Sequence, residues 1–117
     1  MELFEELRAL GVDIDDGLKR VMGNEKLYKR LLGSFVKMID TNTIRPDFDT
    51  SDYTKETEKA HSIKGTAANL SITPISEAYT RILGLLRTGK PEEAREVLGE
   101  VLPIQGEIIR CIESHME

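Results

Sequence analysis

The chain has 117 residues, of which 39% are hydrophobic and 32% charged, and its formal net charge is −5. This length corresponds to one ordinary domain, and this composition is typical of a globular chain rather than a disordered or membrane-embedded one. Charges of both signs are interspersed, and the absence of a basic stripe argues against nucleic acid as a partner. Cys111 is the only cysteine, which excludes an intramolecular disulfide and a thiolate metal cluster.

The sequence also carries no sign of export or of membrane insertion. No N-terminal stretch resembles a signal peptide, and no apolar run approaches 18 residues. We therefore expect a cytoplasmic protein that does not associate with membranes. His61 and His115 are the only histidines, and their wide separation gives no support to a metal site.

Apolar residues recur at helical spacing almost throughout, and no segment has the alternating pattern of a strand. The first predicted helix covers residues 1–10 and ends at Gly11. A second short helix follows a cap at Asp13 and stops at Gly23. Asn24 caps a longer third helix. The predicted buried stripe of this third helix consists of Leu27, Leu31, Phe35, Met38 and Ile39.

The third helix is expected to fray around Asn42 and to lead into a loop. Residues 43–51 contain Pro46 and several Asp and Thr residues, which are typical of loops. Two apolar side chains of this segment, Ile44 and Phe48, are predicted to pin it to the core.

The next two helices have clear start and stop signals. The fourth helix is predicted from about Tyr53 to Leu70, with Ser51 or Asp52 as its cap. The fifth begins at Thr73–Pro74, because proline at the first helical position loses no useful hydrogen bond, and it stops at Gly89.

Pro91 opens the last helix, and Pro103 within it is predicted to bend the helix near Gly99. Four long helices joined by short links predict an all-α fold, an antiparallel four-helix bundle. One or two additional short N-terminal helices would close one end of it. Residues 1–117 are thus interpreted as a single domain.

The fourth helix carries two neighbouring stripes of residues. Its core-facing residues share offsets of 0, 3, 7 and 10 and are Ala60, Ile63, Ala67 and Leu70. The second stripe lies roughly 100° away around the helix, is expected to be partly exposed, and consists of His61, Lys64, Gly65 and Ala68.

Three residues of the second stripe suit the transfer of a phosphoryl group from a partner. Neutral imidazole, as in His61, is nucleophilic near pH 7 and can be phosphorylated on a ring nitrogen. Lys64, one turn onward, can reach the phosphoryl oxygens. Gly65 costs the helix about 1 kcal/mol relative to alanine, which indicates close approach by a partner. Taken singly, each has a simpler explanation: a solvated histidine, a solvated lysine, and a glycine that allows helix–helix packing.

The run from His61 to Leu70, HSIKGTAANL, resembles the His-x-Leu-Lys-Gly signature of the histidine-phosphotransfer (HPt) family. The resemblance extends forward through Ile75 and Ile82, where the family also has apolar residues. It reaches back to residues 11–13 and 17–20, so it covers most of the chain.

Two positions depart from the family pattern. Ser71 stands where many members have glycine, and Leu83 stands where an acidic residue often follows the apolar position. Neither belongs to the His-x-x-Lys-Gly motif, so we expect them to affect the choice of partner more than the activity.

The resemblance implies a phosphorelay intermediate with His61 as phosphoryl acceptor, Lys64 as phosphate-stabilising cation and Gly65 as clearance for the partner. Its partners would be response-regulator receiver domains, a hybrid histidine kinase, or both. The receiver would supply Mg²⁺, and the chain would need no cofactor of its own. Since no glycine-rich kinase loop is present, we interpret the chain as a phosphohistidine carrier and not as an enzyme.

Two alternatives remain open. One is a non-catalytic adaptor that binds receivers, although the presence of His61, Lys64 and Gly65 argues against it. The other is the phosphoacceptor module of a chemotaxis-type histidine kinase. An initiating Met1 and the lack of a linker or second domain favour a free-standing carrier, which we expect to be monomeric.

Overall fold

The computed structural model describes residues 2–116, which form helices and no strand. The six helices within this range are α1 (Leu3–Ala9), α2 (Ile14–Arg20), α3 (Glu25–Thr41), α4 (Thr54–Asn69), α5 (Thr73–Arg87) and α6 (Pro91–Ser114). The predicted all-α fold is confirmed, and each predicted helix is present with ends that differ by a few residues. Pro103 does not end α6, which continues to Ser114.

Four helices end in a turn that places the residue after the C-cap in the left-handed region. Gly11 after α1 and Gly89 after α5 have φ of 95° and 74°, which glycine adopts without strain. Both were predicted as helix stops. The predicted stop at Gly23 is one residue late, because Met22 already has φ of 57° and Gly23 follows it at 77°. After α4 the left-handed residue is Ser71, with φ of 57°.

The helix starts agree with the predicted caps in most cases. Asp13 accepts a hydrogen bond from the Asp16 amide at 3.1 Å, and Asn24 accepts one from the Leu27 amide at 3.0 Å. At α4 the prediction is wrong: the N-cap is Tyr53, which makes no side-chain cap hydrogen bond, and Asp52 before it accepts from the Thr54 amide at 3.3 Å.

The loop between α3 and α4 is anchored to the core, as predicted. Ile44 and Phe48 are buried, at 3% and 6% exposure. The Arg95 side chain donates to the Pro46 carbonyl at 2.8 Å, and Lys59 donates to the carbonyl of Thr43 at 3.1 Å. The loop is therefore held by contacts from α4 and α6 as well as by its own apolar residues.

The long helices pack on one another around a common core. α4 lies against α5, α5 lies against α6, and α3 contacts both α4 and α6. α1 packs on α6, while α2 contacts α1 and α3. The largest fully buried side chains include Tyr28 and Tyr79, whose hydroxyls donate to the Leu70 carbonyl and to Gln105 Oε1, each at 2.6 Å.

Candidate functional site

The two stripes of α4 lie where the helical spacing predicts them. Residues of the first stripe are buried, with exposures of 0% to 5%, and are Ala60, Ile63, Ala67 and Leu70. In the second stripe His61 and Ala68 are exposed, and Lys64 and Gly65 are half-buried. His61, Lys64 and Gly65 therefore lie, as predicted, on one partly exposed strip of α4.

The imidazole and the ammonium group of this strip are not engaged in ion pairs. The ion pairs found within residues 2–116 join other side chains, so that neither His61 nor Lys64 is held by a carboxylate. An imidazole that is not paired within the protein can attack an external electrophile. An unpaired ammonium group one turn away can stabilise the negative charge that this electrophile carries.

Gly65 is not explained by packing inside the protein. Outside its own stretch of helix, no atom lies within 4 Å of the place that a Cβ on Gly65 would occupy, whereas a Cβ on Gly17 would lie 2.5 Å from Tyr28 Oη. Gly17 is thus a packing glycine, because only its missing side chain lets Tyr28 reach across to α4. Contacts with other described parts of the protein therefore do not require glycine at position 65.

An apolar groove of about 700 Å³ borders the same strip on the α3 side. Its apolar lining comes from α2 to α4 and comprises Val21, Leu31, Phe35, Met38 and Leu70. Thr66 and Asn69 form its α4 edge, and Asn69 lies one turn after Gly65 on the helix surface. The groove therefore adjoins the strip that carries His61.

Sequence reasoning missed this groove because it treated the apolar face of α3 as wholly buried. Leu27, Leu31 and Met38 are only half-buried, while Phe35 and Ile39 are buried as predicted. Helical spacing shows which face of a helix is apolar, but it does not show how much of that face the neighbouring helices cover.

The C-terminal end of α4 is held by contacts with α2 and α3. Ser71 Oγ donates to Asp16 Oδ2 at 2.5 Å, and Arg20 Nε donates to the same oxygen at 2.9 Å. The Asp13 amide donates to the Ser71 carbonyl at 3.0 Å. These bonds favour the ionised carboxylate: the Ser71 hydroxyl first, and the Arg20 guanidinium second, lower the pKa of Asp16.

The sequence departs from the HPt pattern that it resembles at Ser71 and Leu83, and the surroundings of both residues are defined in the structure. Ser71 occupies a left-handed position, where glycine is ordinarily favoured, and the bond from its hydroxyl to Asp16 offsets part of the strain. Leu83 is only 3% exposed and belongs to the core, where an acidic side chain would need a buried partner.

A second cluster of ionisable groups joins α1 to the end of α6. His115 Nε2 lies 2.6 Å from Glu6 Oε2, and Cys111 Sγ lies 3.5 Å from the same oxygen. Burial and the adjacent Glu6 carboxylate raise the pKa of Cys111 to about 11, so its thiol stays protonated at neutral pH. Among residues 2–116, no group of three His, Cys, Asp or Glu side chains is arranged to hold a metal ion.

Comparisons with known proteins find no match: no family model, no curated protein and no solved structure. In the described part of the chain, no helix combines the length and the apolar character needed to cross a membrane.

Proposed function

We propose that the chain is an HPt domain that carries a phosphoryl group on His61 between receiver domains. The observation that carries the proposal is the surface strip of α4: an exposed imidazole, a lysine one turn away, and a mid-helix glycine whose side-chain position is empty. Of the functions considered, phosphoryl transfer to His61 is the one that uses all three.

The proposal extends to the architecture and the cellular setting. The four long helices would form an antiparallel four-helix bundle, since α3, α4, α5 and α6 contact one another in sequence and α3 also contacts α6. The two short N-terminal helices would pack at its side and end. We propose a cytoplasmic monomer whose partners are receiver domains or a hybrid histidine kinase.

The chemistry would be an in-line displacement at phosphorus. A ring nitrogen of neutral His61 attacks the phosphorus of a receiver's aspartyl phosphate, the bond from phosphorus to the aspartate oxygen breaks, and the carboxylate leaves. The receiver supplies Mg²⁺, which neutralises charge on the transferred group. This chain contributes a positioned nucleophile and, from Lys64, a positive charge beside the phosphoryl oxygens.

Docking would place the receiver over Gly65 and the adjoining groove. The missing side chain at Gly65 removes an obstacle next to His61, and the half-buried Leu31 and Met38 offer apolar surface to a partner. Burial of apolar surface at the centre of a contact, with polar groups at its rim, is the usual composition of a protein–protein interface.

The proposal is tested by transfer of a labelled phosphoryl group. Incubated with phosphorylated receivers from the same organism, the chain should gain one acid-labile, alkali-stable phosphoryl group from at least one of them. His61→Gln should abolish this label without changing the helical circular dichroism, and the matched control His115→Gln should retain it. Label in His61→Gln, or no transfer from any receiver, would refute the proposal.

An ATP control separates a carrier from the alternatives. With ATP and magnesium alone the chain should not be labelled. Labelling only when a kinase's ATP-binding domain is added would indicate the phosphoacceptor module of a chemotaxis-type kinase. Receiver binding without any labelling would indicate an adaptor.

A further inference from the structure

Arg20 lies at the rim of the groove and is bonded to Asp16. It lines the groove together with Asn69 of α4, and its side chain is 51% exposed. Nε donates to Asp16 Oδ2 at 2.9 Å, which leaves the two terminal nitrogens of the guanidinium outside that bond. A guanidinium held through Nε can still donate two parallel hydrogen bonds from its terminal nitrogens.

The carboxylate that holds Arg20 is itself held by Ser71. Ser71 Oγ donates to the oxygen that accepts from Arg20, and Ser71 is 6% exposed. Ser71 is therefore a fixed point, Asp16 is oriented by it, and Arg20 is oriented by Asp16. An exposed i,i+4 pair alone would hold an arginine only weakly, because the side-chain entropy opposes the gain. Here the acceptor is the Asp16 carboxylate, which the Ser71 hydroxyl already orders, so the Arg20 pair does not bear the entropic cost of ordering it.

We infer that Arg20 is a specificity-determining residue that pairs with a carboxylate on the docked receiver, and that Ser71 acts as its positioning residue through Asp16. This inference rests on the proposed function. The occupant of the groove would be the receiver surface that covers it, with apolar side chains towards Leu31, Phe35 and Met38. Its acidic side chain would lie at the edge nearest α2.

The position of Arg20 indicates that it binds a carboxylate of the partner and not the transferred phosphoryl group. Through Asp16, Arg20 is held at Ser71, just beyond Asn69, which is the last residue of α4 and lies eight residues after His61. At about 1.5 Å of rise per residue, this separation is roughly 12 Å along the axis of α4. Arg20 is therefore too far along the helix to meet the phosphoryl group on His61, and its ligand belongs to the body of the partner.

The test compares two arginines that undergo the same change of charge. Arg20→Glu should raise the dissociation constant for the receiver that phosphorylates His61 by about tenfold or more, and should weaken its salt dependence. Arg81 lines the separate groove between α5 and α6. Arg81→Glu should leave affinity within about twofold of the parent, since mutations at exposed positions outside a contact have small effects.

A double-mutant cycle tests the positioning step. Ser71→Ala removes the hydroxyl and should weaken receiver affinity by about threefold, but it should have no effect in an Arg20→Ala background. A merely structural role would instead give the same loss in both backgrounds. Thermal unfolding of each variant confirms that the fold is retained.

The outcomes separate this inference from the proposed function. Equal affinities for Arg20→Glu and Arg81→Glu, with His61 still labelled, would overturn the inference alone. Additive effects of Ser71→Ala and Arg20→Ala would overturn the positioning role. A failure to label His61 from any receiver would overturn the proposed function and this inference with it.

Discussion

Gly65→Ala and Gly65→Leu together test whether the mid-helix glycine serves a partner rather than the fold. Alanine adds one carbon at a position where no atom outside the adjoining stretch of α4 lies within 4 Å, so no clash with the rest of the protein reduces the gain in helix propensity. The gain for glycine to alanine in a helix interior is about 1 kcal/mol. Gly65→Ala should therefore stabilise the free protein by about that amount.

This free energy converts into a measurable shift in melting temperature. At about 2.1 cal/mol/K of unfolding entropy per residue, a 117-residue chain has roughly 250 cal/mol/K in total. A gain of about 1 kcal/mol then raises Tm by about 4 °C. Differential scanning calorimetry or circular dichroism resolves a change of this size. Gly17→Ala is the matched control and should lower Tm, because its Cβ would lie 2.5 Å from Tyr28 Oη.

The larger substitution addresses the partner. Gly65→Leu should keep the fold but weaken receiver binding by about tenfold or more, which corresponds to about 1.4 kcal/mol, and should slow transfer with it. Gly99→Leu, at an exposed helical glycine of α6 with equally free surroundings, should change neither. A Gly65→Ala variant that melts below the parent, or a Gly65→Leu variant that binds and transfers normally, would refute the reasoning.

Two further predictions concern charge. Phosphorylated His61 carries close to two negative charges, so Lys64→Ala should slow transfer while changing receiver affinity little, as measured by phosphoryl-label kinetics and by titration. The pKa of Asp16 lies below its ordinary value of 3.8 because Ser71 and Arg20 bond to the ionised form. The carboxylate therefore adds stability that is present above pH 3.8 and is lost as pH falls through the lowered pKa. Asp16→Asn should be less stable than the parent in urea at pH 7, and the difference should shrink below pH 3.8; a difference independent of pH would contradict this.

The helices and the partly exposed strip of α4 could be predicted from the sequence because both depend on local rules. With 3.6 residues per turn, His61 lies on a different face of α4 from the buried Ala60 and Ile63. This follows from sequence spacing alone and does not depend on where the neighbouring helices lie. Glycine at Gly11 and Gly89 marks helix ends for an equally local reason, the low cost of positive φ.

The features that sequence reasoning missed depend on contacts between distant segments. Ser71 and Asp16 are 55 residues apart, and no spacing rule brings them together. Met22 and Ser71 adopt the left-handed conformation although neither is glycine, so their conformation follows from the turns that join the helices. The groove depends on how far Leu31 and Met38 of α3 extend beyond the cover of the adjoining helices.

The attachment of α2 to the end of α4 has a consequence for local unfolding. α2 has seven residues, which is too short to persist as an isolated helix, so it forms only while it is docked. Its contacts include the Asp13 amide on the Ser71 carbonyl and Gly17 beneath Tyr28, whose hydroxyl holds the Leu70 carbonyl. Amide hydrogens of α2 and of the last turn of α4 should therefore exchange with solvent together, as one cooperative unit, and the N-terminal segment sets how often the end of the His61 helix opens.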